Sequence, residues 1–478
     1  MSQAAATVTA ISSNSARKIF DRQRTACLAE PFLSFEDRRR VLADLEAILV
    51  AHQDELAAAI NRDFGNRSIH ESKLLEIFPT ITGLADTRQK LKRWMRPRRR
   101  HVSFWFMGAK NRVIPQPKGV VGIVSPWNYP LQLALSPLTS AVAAGNRCMI
   151  KMAADSQNLC RLLQRLVSAV ISEEMVAVLP GVSAADFTAL PFDHLIFTGS
   201  PGTGRVVMRT AADNLTPVTL ELGGKSPTIV APDFDLDKAA ERILYVKYIN
   251  AGQTCVAPDY LFLPKDRVPA FVDKAREVIS RRYPRIDSKD YTAIINERAF
   301  DRLIRLLDDA RAKGAEIVTL VPGSEPDRQL RKIPPTLALN VSDEMLLMQE
   351  EIFGPILPVK TYLTMDEVIA RVNAGERPLA LYLFTEDKAL ADRVIYRTMS
   401  GGVGINDCAM HVAQHDLPFG GIGNSGMGQY HGYEGFLEFS KLRPVFKQSP
   451  VPTSALMAPP YGKTFERLYN LMIKFRLL

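Results

Sequence analysis

Apolar residues recur at helical spacing through the first part of the chain. Ser34 stands where an N-cap is expected, and Glu36 and Asp37 place acidic side chains in the following turn. The apolar positions that share one stripe are Leu42, Leu45 and Leu49. Because helical periodicity continues to about Trp94, the sequence predicts an N-terminal region built of helices.

From residue 112 onward, short apolar runs alternate with helical stretches. The runs with the length and composition of strands are 112–116, 120–124, 148–152 and 194–197. Helical periodicity lies among them, around residues 162–167 and 206–208. Strands that alternate with helices predict βαβ units in a parallel sheet, so the expected fold class is α/β.

A second α/β half follows from about residue 226. Its predicted elements are a strand at 227–230, a helix at 236–250, a helix at 300–313 and a strand at 316–320. The half runs to a glycine-rich segment at 419–426, and no solenoid repeat is visible. At 478 residues the chain is too long for one ordinary core, which agrees with two domains.

Composition and charge exclude several classes of protein. Hydrophobic residues make up 46% of the chain, and no apolar run reaches the roughly 20 residues of a membrane span. The net charge of +9 is concentrated only at 90–100, without a nucleic-acid-binding motif, so a solvated helix end explains it. We expect no nucleic-acid partner and no transmembrane segment.

The cysteines and the first residues bear on the compartment. The five cysteines are odd in number and scattered, unlike a disulfide framework or a CxxC metal site: Cys27, Cys148, Cys160, Cys255 and Cys408. Residues 1–14 lack the basic-then-apolar order of a secretory signal. A reducing cytoplasm is the expected location.

Cys255 has a sequence context that suggests chemistry. It ends the run 252–255 (GQTC), and Glu221 opens the run 221–225 (ELGGK), where a glycine pair permits close approach. A cysteine nucleophile needs a lowered pKa or a neighbouring base, which a carboxylate can supply. Covalent catalysis is one interpretation. The other interpretation is that Cys255 is a small buried apolar residue. The GQTC run alone favours this second interpretation, and only the other motifs of the chain reverse the order.

Five segments occur together in a fixed order. They are 125–130 (SPWNYP), 144–146 (AGN) with Lys151, 197–200 (FTGS) with Gly204, the Glu221 and Cys255 segments, and 350–355 (EEIFGP). Each motif is moderately specific, and their joint order is very specific. Over nearly the whole chain this arrangement resembles the aldehyde dehydrogenase superfamily. The resemblance implies a Rossmann-like cofactor domain, an α/β catalytic domain and a small β oligomerisation element.

The same resemblance implies domain limits. The NAD(P)-binding domain is expected at 1–96 and 117–225, and the catalytic domain at 226–428. The oligomerisation element is expected at 97–116 and 429–450, and it implies a homodimer. Residues 451–478 are a tail whose candidate helix, at 465–475, is too short to span a membrane. We expect that helix to dock on the protein rather than on lipid.

Several stretches resemble the class 3 and fatty-aldehyde branch of the superfamily. They are 254–260 (TCVAPDY), 406–413 (NDCAMHVA), 423–428 (GNSGMG), 430–432 (YHG), and Tyr129 in place of the commoner phenylalanine. The tail segment 459–462 (PPYG) is similar to that of bacterial enzymes for coniferyl aldehyde. The implied reaction is NAD(P)-dependent oxidation of a medium-chain, long-chain or aromatic aldehyde to its acid.

Three alternative functions stay open at this point. A CoA-acylating dehydrogenase would release the acyl group to CoA and would not need a base, so Glu221 argues against it. A cofactor-independent cysteine hydrolase and a non-catalytic relative are the other two.

The resemblance assigns the chemistry to three residues. Cys255 would attack the carbonyl carbon to form a thiohemiacetal and then a thioester. The Asn128 side-chain amide would stabilise the oxyanion together with the Cys255 backbone N–H, and one such donor is typically worth about 3 kcal/mol. Glu221 would be the general base for hydrolysis, and its position beside Leu222 and two glycines predicts partial burial and a raised pKa.

The resemblance also implies a binding site for NAD and/or NADP. Its residues are Ser125, Trp127, Lys151, Gly199, Ser200, Gly204, Leu222, Glu351 and Phe353. The glycines at 199, 202 and 204 depart from the G-x-G-x-x-G spacing, as in the superfamily's own phosphate loop. Ser200 is expected to contact phosphate, Lys151 the adenosine ribose, and Glu351 the nicotinamide ribose.

Ala154 departs from the family pattern. The family usually places a glutamate three residues after the lysine, where it binds the ribose hydroxyls and repels the 2′-phosphate of NADP. Strict preference for NAD is therefore not expected. His411 and His415 lie in a predicted loop without a companion ligand, so we expect no metal site and place His411 near the cofactor mouth.

Overall fold

The computed structural model describes residues 13–450 and 458–475. Its α-helices are α1 (Ser13–Ala29), α2 (Phe35–Ala51), α3 (Gln53–Phe64), α4 (Ile69–Ser72), α5 (Phe78–Trp94), α6 (Pro130–Ala144), α7 (Gln157–Ser168), α8 (Ala184–Thr188), α9 (Pro201–Ala212), α10 (Leu236–Tyr248), α11 (Val268–Arg282), α12 (Glu297–Ala312), α13 (Leu346–Gln349), α14 (Met365–Ala374), α15 (Lys388–Arg397), α16 (Gly432–Glu438) and α17 (Lys463–Phe475). The helical N-terminal region is thus confirmed.

The strands form three sheets. They are β1 (Arg98–Arg100), β2 (Lys110–Pro117), β3 (Val120–Ser125), β4 (Arg147–Met152), β5 (Val176–Val178), β6 (His194–Gly199), β7 (Val218–Leu222), β8 (Pro227–Val230), β9 (Tyr260–Pro264), β10 (Glu316–Thr319), β11 (Thr336–Leu339), β12 (Ile356–Tyr362), β13 (Ala380–Phe384), β14 (Gly402–Ile405), β15 (Gly426–Met427) and β16 (Ser440–Lys447). All six strands predicted from the sequence are present, within a few residues of the predicted bounds.

Helix α2 shows how the sequence pattern specifies structure. The Ser34 hydroxyl accepts a hydrogen bond from the Asp37 backbone N–H at 3.0 Å, as an N-cap does. The predicted stripe of Leu42, Leu45 and Leu49 is buried and packs into the main core. Ser34 and the stripe therefore fix both where the helix begins and which side faces inward.

The first sheet has the order β15-β7-β6-β3-β4-β5. Strands β3 to β7 run parallel, and the chain passes from β3 to β4 and β5 on one side and then returns to β6 and β7 on the other. In such sheets a crevice opens outside the carboxyl ends of the strands where the order reverses. Here that place lies between β3 and β6, which end at Ser125 and Gly199.

The second sheet has the order β10-β11-β12-β9-β8-β13-β14 and is parallel except for β10. The third sheet is antiparallel, with the order β1-β2-β16. The α/β class is confirmed, and the chain has the two α/β units and the small β element that the sequence predicts. The exact division into domains stays a prediction.

Two elements contact parts of the chain outside the domain predicted for them. Strand β15, placed by sequence in the catalytic domain, pairs with β7 of the first sheet, with Gly426 opposite Glu221. Helix α16, placed in the oligomerisation element, packs on α6 beside the first sheet. A two-residue strand and a seven-residue helix carry too little periodicity for the sequence to assign them.

The predicted tail helix exists as α17, but it buries none of its side chains. The expected docking on the protein is therefore not seen in the part of the tail that is described. The interpretation of residues 1–12, and part of the tail prediction, fall outside the described residues. Within the described ranges, no helix is both long and apolar enough to cross a bilayer.

Candidate active site

A cavity of about 300 Å³ opens where the first sheet meets the second. It lies beyond the carboxyl ends of β3, β6 and β7, as the strand order leads one to expect. The residues that line it are Pro126, Trp127, Asn128, Thr198, Gly199, Ser200, Glu221, Gly223, Cys255, Arg302, Glu351 and Phe353. All three predicted catalytic residues and five of the nine predicted cofactor residues are in this set.

Cys255 is presented to the cavity by a strained turn. After α10 the chain forms a short turn in which Asn250, Ala251 and Gly252 have φ values of 50°, 50° and 73°. A Cβ at Gly252 would lie 2.3 Å from the Gly354 carbonyl oxygen, so only glycine fits there. The glycine of the GQTC run therefore lets the Cys255 loop lie directly against the Glu351 loop.

Glu221 faces Cys255 from the end of β7. Its side chain is 1% exposed, and burial raises its pKa to about 7. The neighbouring Cys255 and Thr198 side chains partly offset this rise. Neither meets hydrogen-bond geometry, so both Glu221 carboxyl oxygens lack a partner among the described residues. A buried carboxyl with a pKa near neutrality and free oxygens is suited to exchange protons with water.

The Cys255 thiol is partly accessible from the cavity. Burial of the surrounding site, followed by the nearby Glu221 and Glu351 carboxylates, raises its pKa well above the ordinary value. The raised pKa favours the protonated thiol over the thiolate. A base must take its proton before the sulfur can act as a nucleophile.

Asn128 lies in the loop that joins β3 to α6 and is 3% exposed. Its side-chain amide donates to the Gln253 carbonyl oxygen at 3.2 Å, which leaves its second N–H for the cavity. The next residue, Tyr129, hydrogen-bonds through its hydroxyl to the Thr254 hydroxyl at 2.8 Å. The Asn128 and Cys255 loops are thus joined directly to each other.

One side of the cavity has the features of a dinucleotide site. Ser200 caps α9 by accepting from the Thr203 N–H, and a Cβ at Gly202 in the first turn would meet only open space. An anion can therefore approach this helix N-terminus. Trp127 packs edge-on against Phe353 with the ring centroids 5.4 Å apart.

Glu351 approaches the backbone after β7 closely. A Cβ at Gly223 would lie 2.2 Å from a Glu351 carboxyl oxygen. Burial and the nearby Asp259 raise the pKa of Glu351 to about 8. The glycine pair beside Glu221 therefore accommodates a second carboxyl group, a role that its sequence context alone did not indicate.

Four predicted cofactor residues do not line this cavity. Ser125 ends β3 and donates to the Pro130 carbonyl oxygen at 3.2 Å, and Lys151 lies on the neighbouring strand β4. Gly204 faces Leu222, where a Cβ would lie 2.8 Å from a leucine methyl carbon. The contact between Gly204 and Leu222 lets α9 pack closely on β7. The geometry therefore gives these two residues a packing role beside the cavity.

Sequence reasoning missed several residues of the site. Arg302 lines the cavity from α12 and donates to the Glu351 carbonyl oxygen at 3.0 Å. Lys225 donates to the Glu350 carbonyl oxygen at 2.8 Å and pairs with Asp259. These contacts hold the Glu351 loop in place. Arg302 has no local motif, and only its position in the fold reveals it.

The placement of His411 near the cofactor mouth stays a prediction. His411 does not line the cavity but packs on Tyr382, with ring centroids 6.0 Å apart. His415 hydrogen-bonds to the Thr82 hydroxyl at 2.9 Å. Over residues 13–450 and 458–475, no group of three or more His, Cys, Asp or Glu side chains is placed to hold a metal ion.

Comparison with known proteins agrees with this geometry. The sequence profile described as "Aldehyde dehydrogenase family" matches residues 2–445. A "Probable coniferyl aldehyde dehydrogenase" of Pseudomonas aeruginosa is 50% identical, over 96% of this chain and 97% of the relative. A "Coniferyl aldehyde dehydrogenase" of a Pseudomonas species is 46% identical over 95% of each chain. The substrate-bound structure of Staphylococcus aureus AldH has a TM-score of 0.90 at 35% identity, covering 95% of this chain and 99% of that one.

The chain belongs to the aldehyde dehydrogenase family. It is an oxidoreductase that oxidises aldehydes with NAD or NADP. The CoA-acylating, hydrolytic and non-catalytic alternatives are not favoured by these comparisons.

Proposed function

We propose that the cavity around Cys255 oxidises an aromatic aldehyde of the coniferyl type through a thioester on that cysteine. The observation that carries this proposal is the convergence of three side chains on one cavity: the Cys255 thiol, the Glu221 carboxyl group and the Asn128 amide. The substrate class rests on the printed names of the two relatives that are 46% and 50% identical to this chain.

In the first half of the reaction, Glu221 accepts the Cys255 proton, directly or through water. The sulfur then forms a bond to the carbonyl carbon, and the carbonyl π electrons move onto oxygen. The free Asn128 N–H and the Cys255 backbone N–H are the donors proposed for that oxyanion. When the oxyanion collapses, the C–H bond breaks and leaves an acyl thioester on Cys255.

In the second half, water attacks the thioester carbonyl. Glu221, which has passed the first proton to solvent, takes a proton from that water as the C–O bond forms. The C–S bond then breaks to release the acid, and the Cys255 thiolate takes the proton back from Glu221. The buried carboxyl group is suited to both transfers because its pKa of about 7 allows it to gain and lose a proton near neutrality.

The residues on the other side of the cavity fit a dinucleotide. The open first turn of α9 with Ser200 suits the pyrophosphate, and Trp127, Glu351 and Phe353 suit the nicotinamide riboside. Lys151, at the adjoining strand end, is proposed for the adenosine ribose. When bound, the dinucleotide supplies the hydride acceptor.

The substrate proposal is tested by comparing aldehydes of matched reactivity. Coniferyl aldehyde, cinnamaldehyde, benzaldehyde and linear alkanals are assayed with NAD and with NADP, and the acid product is quantified by chromatography. We expect kcat/KM for coniferyl aldehyde to exceed that of the alkanals by about tenfold or more, which corresponds to about 1.4 kcal/mol of transition-state binding. Higher kcat/KM for long alkanals would assign the site to aliphatic substrates instead.

Cofactor choice gives a second prediction, at Ala154. This residue is exposed and opens the short turn that follows β4, where the family usually has a glutamate. The adjacent Asp155 is directed toward the Asn296 amide at 3.4 Å. Ala154→Glu should therefore introduce a repulsion of about 1 to 2 kcal/mol against a 2′-phosphate. We expect the ratio of kcat/KM for NAD to that for NADP to rise about tenfold or more.

Ala154→Gln is the matched control, because glutamine has the same length without the charge. It should leave the NAD-to-NADP ratio within about threefold of that of the native protein. If the native protein already rejects NADP by several hundredfold, or if both variants shift the ratio equally, the missing carboxylate does not set cofactor choice.

We also propose that the chain forms a homodimer through the third sheet. Strand β16 is an edge strand of this sheet, so one row of its backbone groups is not paired with any other described strand. Leu442 and Phe446 on that strand are 42% and 51% exposed. An unpaired edge with exposed apolar side chains is a surface that a second copy can cover.

A further inference from the structure

The backbone of Asn128 is held by two buried donors. The Arg67 guanidinium donates through Nη1 to the Asn128 carbonyl oxygen at 2.9 Å, and the Asn250 side-chain amide donates to the same oxygen at 3.1 Å. Asn250 comes from the Cys255 loop, whereas Arg67 comes from the N-terminal helices. Arg67 is therefore the contact that fixes Asn128 from the side away from the cysteine.

Arg67 is itself fully enclosed. Its side chain has no exposed surface, and its guanidinium lies over the rings of Tyr129 and Phe64, 4.8 Å and 5.0 Å from their centroids. Tyr129 is the residue after Asn128 and bonds to Thr254 beside Cys255. Arg67 thus contacts two successive residues of the Asn128 loop, one through the carbonyl group and one through the ring.

Glu76 completes the arrangement. Its carboxylate has no exposed surface and lies 2.7 Å from Arg67 Nη1. Its other oxygen accepts from the Leu131 backbone N–H at 2.8 Å and from the Gln132 N–H at 3.3 Å, so it caps α6 directly after the Asn128 loop. Glu76 lies in a π-helical segment, Lys73–Ile77, a rare conformation that is frequent at functional sites.

We propose that Arg67 and Glu76 are positioning residues that hold Asn128 in place as the oxyanion donor. The pair fixes the loop at both ends, at the Asn128 carbonyl oxygen and at the first N–H groups of α6. This inference rests on the proposed role of Asn128. A displacement of about 1 Å at such a donor costs on the order of 100-fold in rate, so loosening the loop should slow chemistry without weakening cofactor binding.

The test is a double-mutant cycle on the rate of the first turnover. Arg67→Met and Glu76→Gln are made in the native chain and in Asn128→Ala, and the first equivalent of NADH is followed after rapid mixing with saturating aldehyde. In the native background each should lower the rate about 10- to 100-fold, with an unchanged Kd for NAD. In the Asn128→Ala background each should change the rate less than about threefold, because the donor they position is absent.

Arg38→Met is the matched control. Arg38 is equally buried and donates to the Ala143 carbonyl oxygen at 3.0 Å, at the far end of the same helix α6. It should lower the melting temperature and leave the first-turnover rate unchanged. If Arg67→Met does not fold, Arg67→Lys takes its place, since lysine keeps the charge but loses the planar fork and the ring stacking.

The outcomes separate this inference from the proposed function. Equal slowing by Arg67→Met in both backgrounds, or equal slowing by Arg38→Met, would show a general structural effect and overturn the positioning role. If Arg67→Met keeps the native first-turnover rate while Asn128→Ala lowers it, the positioning role is overturned and the oxyanion role of Asn128 stands. Full activity of Asn128→Ala would overturn the oxyanion role and the inference with it.

Discussion

Cys255→Ala is expected to lower aldehyde-dependent NADH formation by at least about 10⁴-fold, while the protein still folds and binds the dinucleotide. The loss is large because the thiohemiacetal and the thioester both require the sulfur, and no other cysteine lines the described cavity. Removing one partly accessible sulfur changes little packing. Steady-state NADH production and dinucleotide affinity, measured on the same preparation, check the two halves of the prediction.

Cys148→Ala is the control for this variant. Cys148 is fully buried in β4, and burial raises the pKa of its thiol, so it serves as a packing residue. Its replacement should cost some stability and leave activity near that of the native protein. Activity above a few per cent in folded Cys255→Ala would show that the covalent mechanism is wrong.

Glu221→Gln is expected to lower steady-state turnover by about 10²- to 10⁴-fold and to expose a burst. Hydrolysis of the thioester needs Glu221 to remove a proton from the attacking water. The first NADH needs only the loss of the thiol proton, which water can relay to solvent when the carboxylate is absent. Rapid mixing should therefore show about one equivalent of NADH per site, followed by a slow phase. A first turnover as slow as the later ones would show that the thiol proton also leaves only through Glu221.

The same residue predicts the pH dependence. Glu221 acts as a base only when ionised, and burial raises its pKa to about 7. Turnover of the native enzyme should therefore rise with pH through about 7 and fall below it. In Glu221→Gln this rise in turnover through about pH 7, the acidic limb of the pH profile, should disappear. Glu350→Gln, which alters a more exposed carboxylate 3.0 Å from Arg305, should retain both the limb and the rate.

The sequence was sufficient for the parts of the site that lie in short motifs. Asn128 follows the predicted strand at 120–124, and Cys255 follows the predicted helix at 236–250. Glu221 is found from its motif alone, since the sequence does not predict strand β7, which ends at Leu222. The capping by Ser34 is equally local, since the serine and the N–H that it caps are three residues apart. Local patterns of this kind need no knowledge of the tertiary fold.

The remaining site contacts depend on long-range packing. Arg67 and Asn128 are 61 residues apart, and neither Arg67 nor Glu76 belongs to a motif. The close approach of Glu351 to Gly223 likewise joins two separate loops. The pairing of β15 with β7 of the first sheet is also a long-range contact. A strand of two residues has no periodicity from which its partner could be predicted. Such contacts are visible only once the chain is folded.

The two carboxyl groups beside Cys255 also affect the chemical durability of the protein. Peroxides and alkylating agents react with the thiolate form of cysteine, and susceptibility follows thiolate character and exposure. Because Glu221 and Glu351 help to raise the pKa of the Cys255 thiol, we expect it to react more slowly with such reagents than its partial accessibility alone would allow. The same two carboxyl groups are thereby expected to lengthen the lifetime of the free thiol between encounters with substrate.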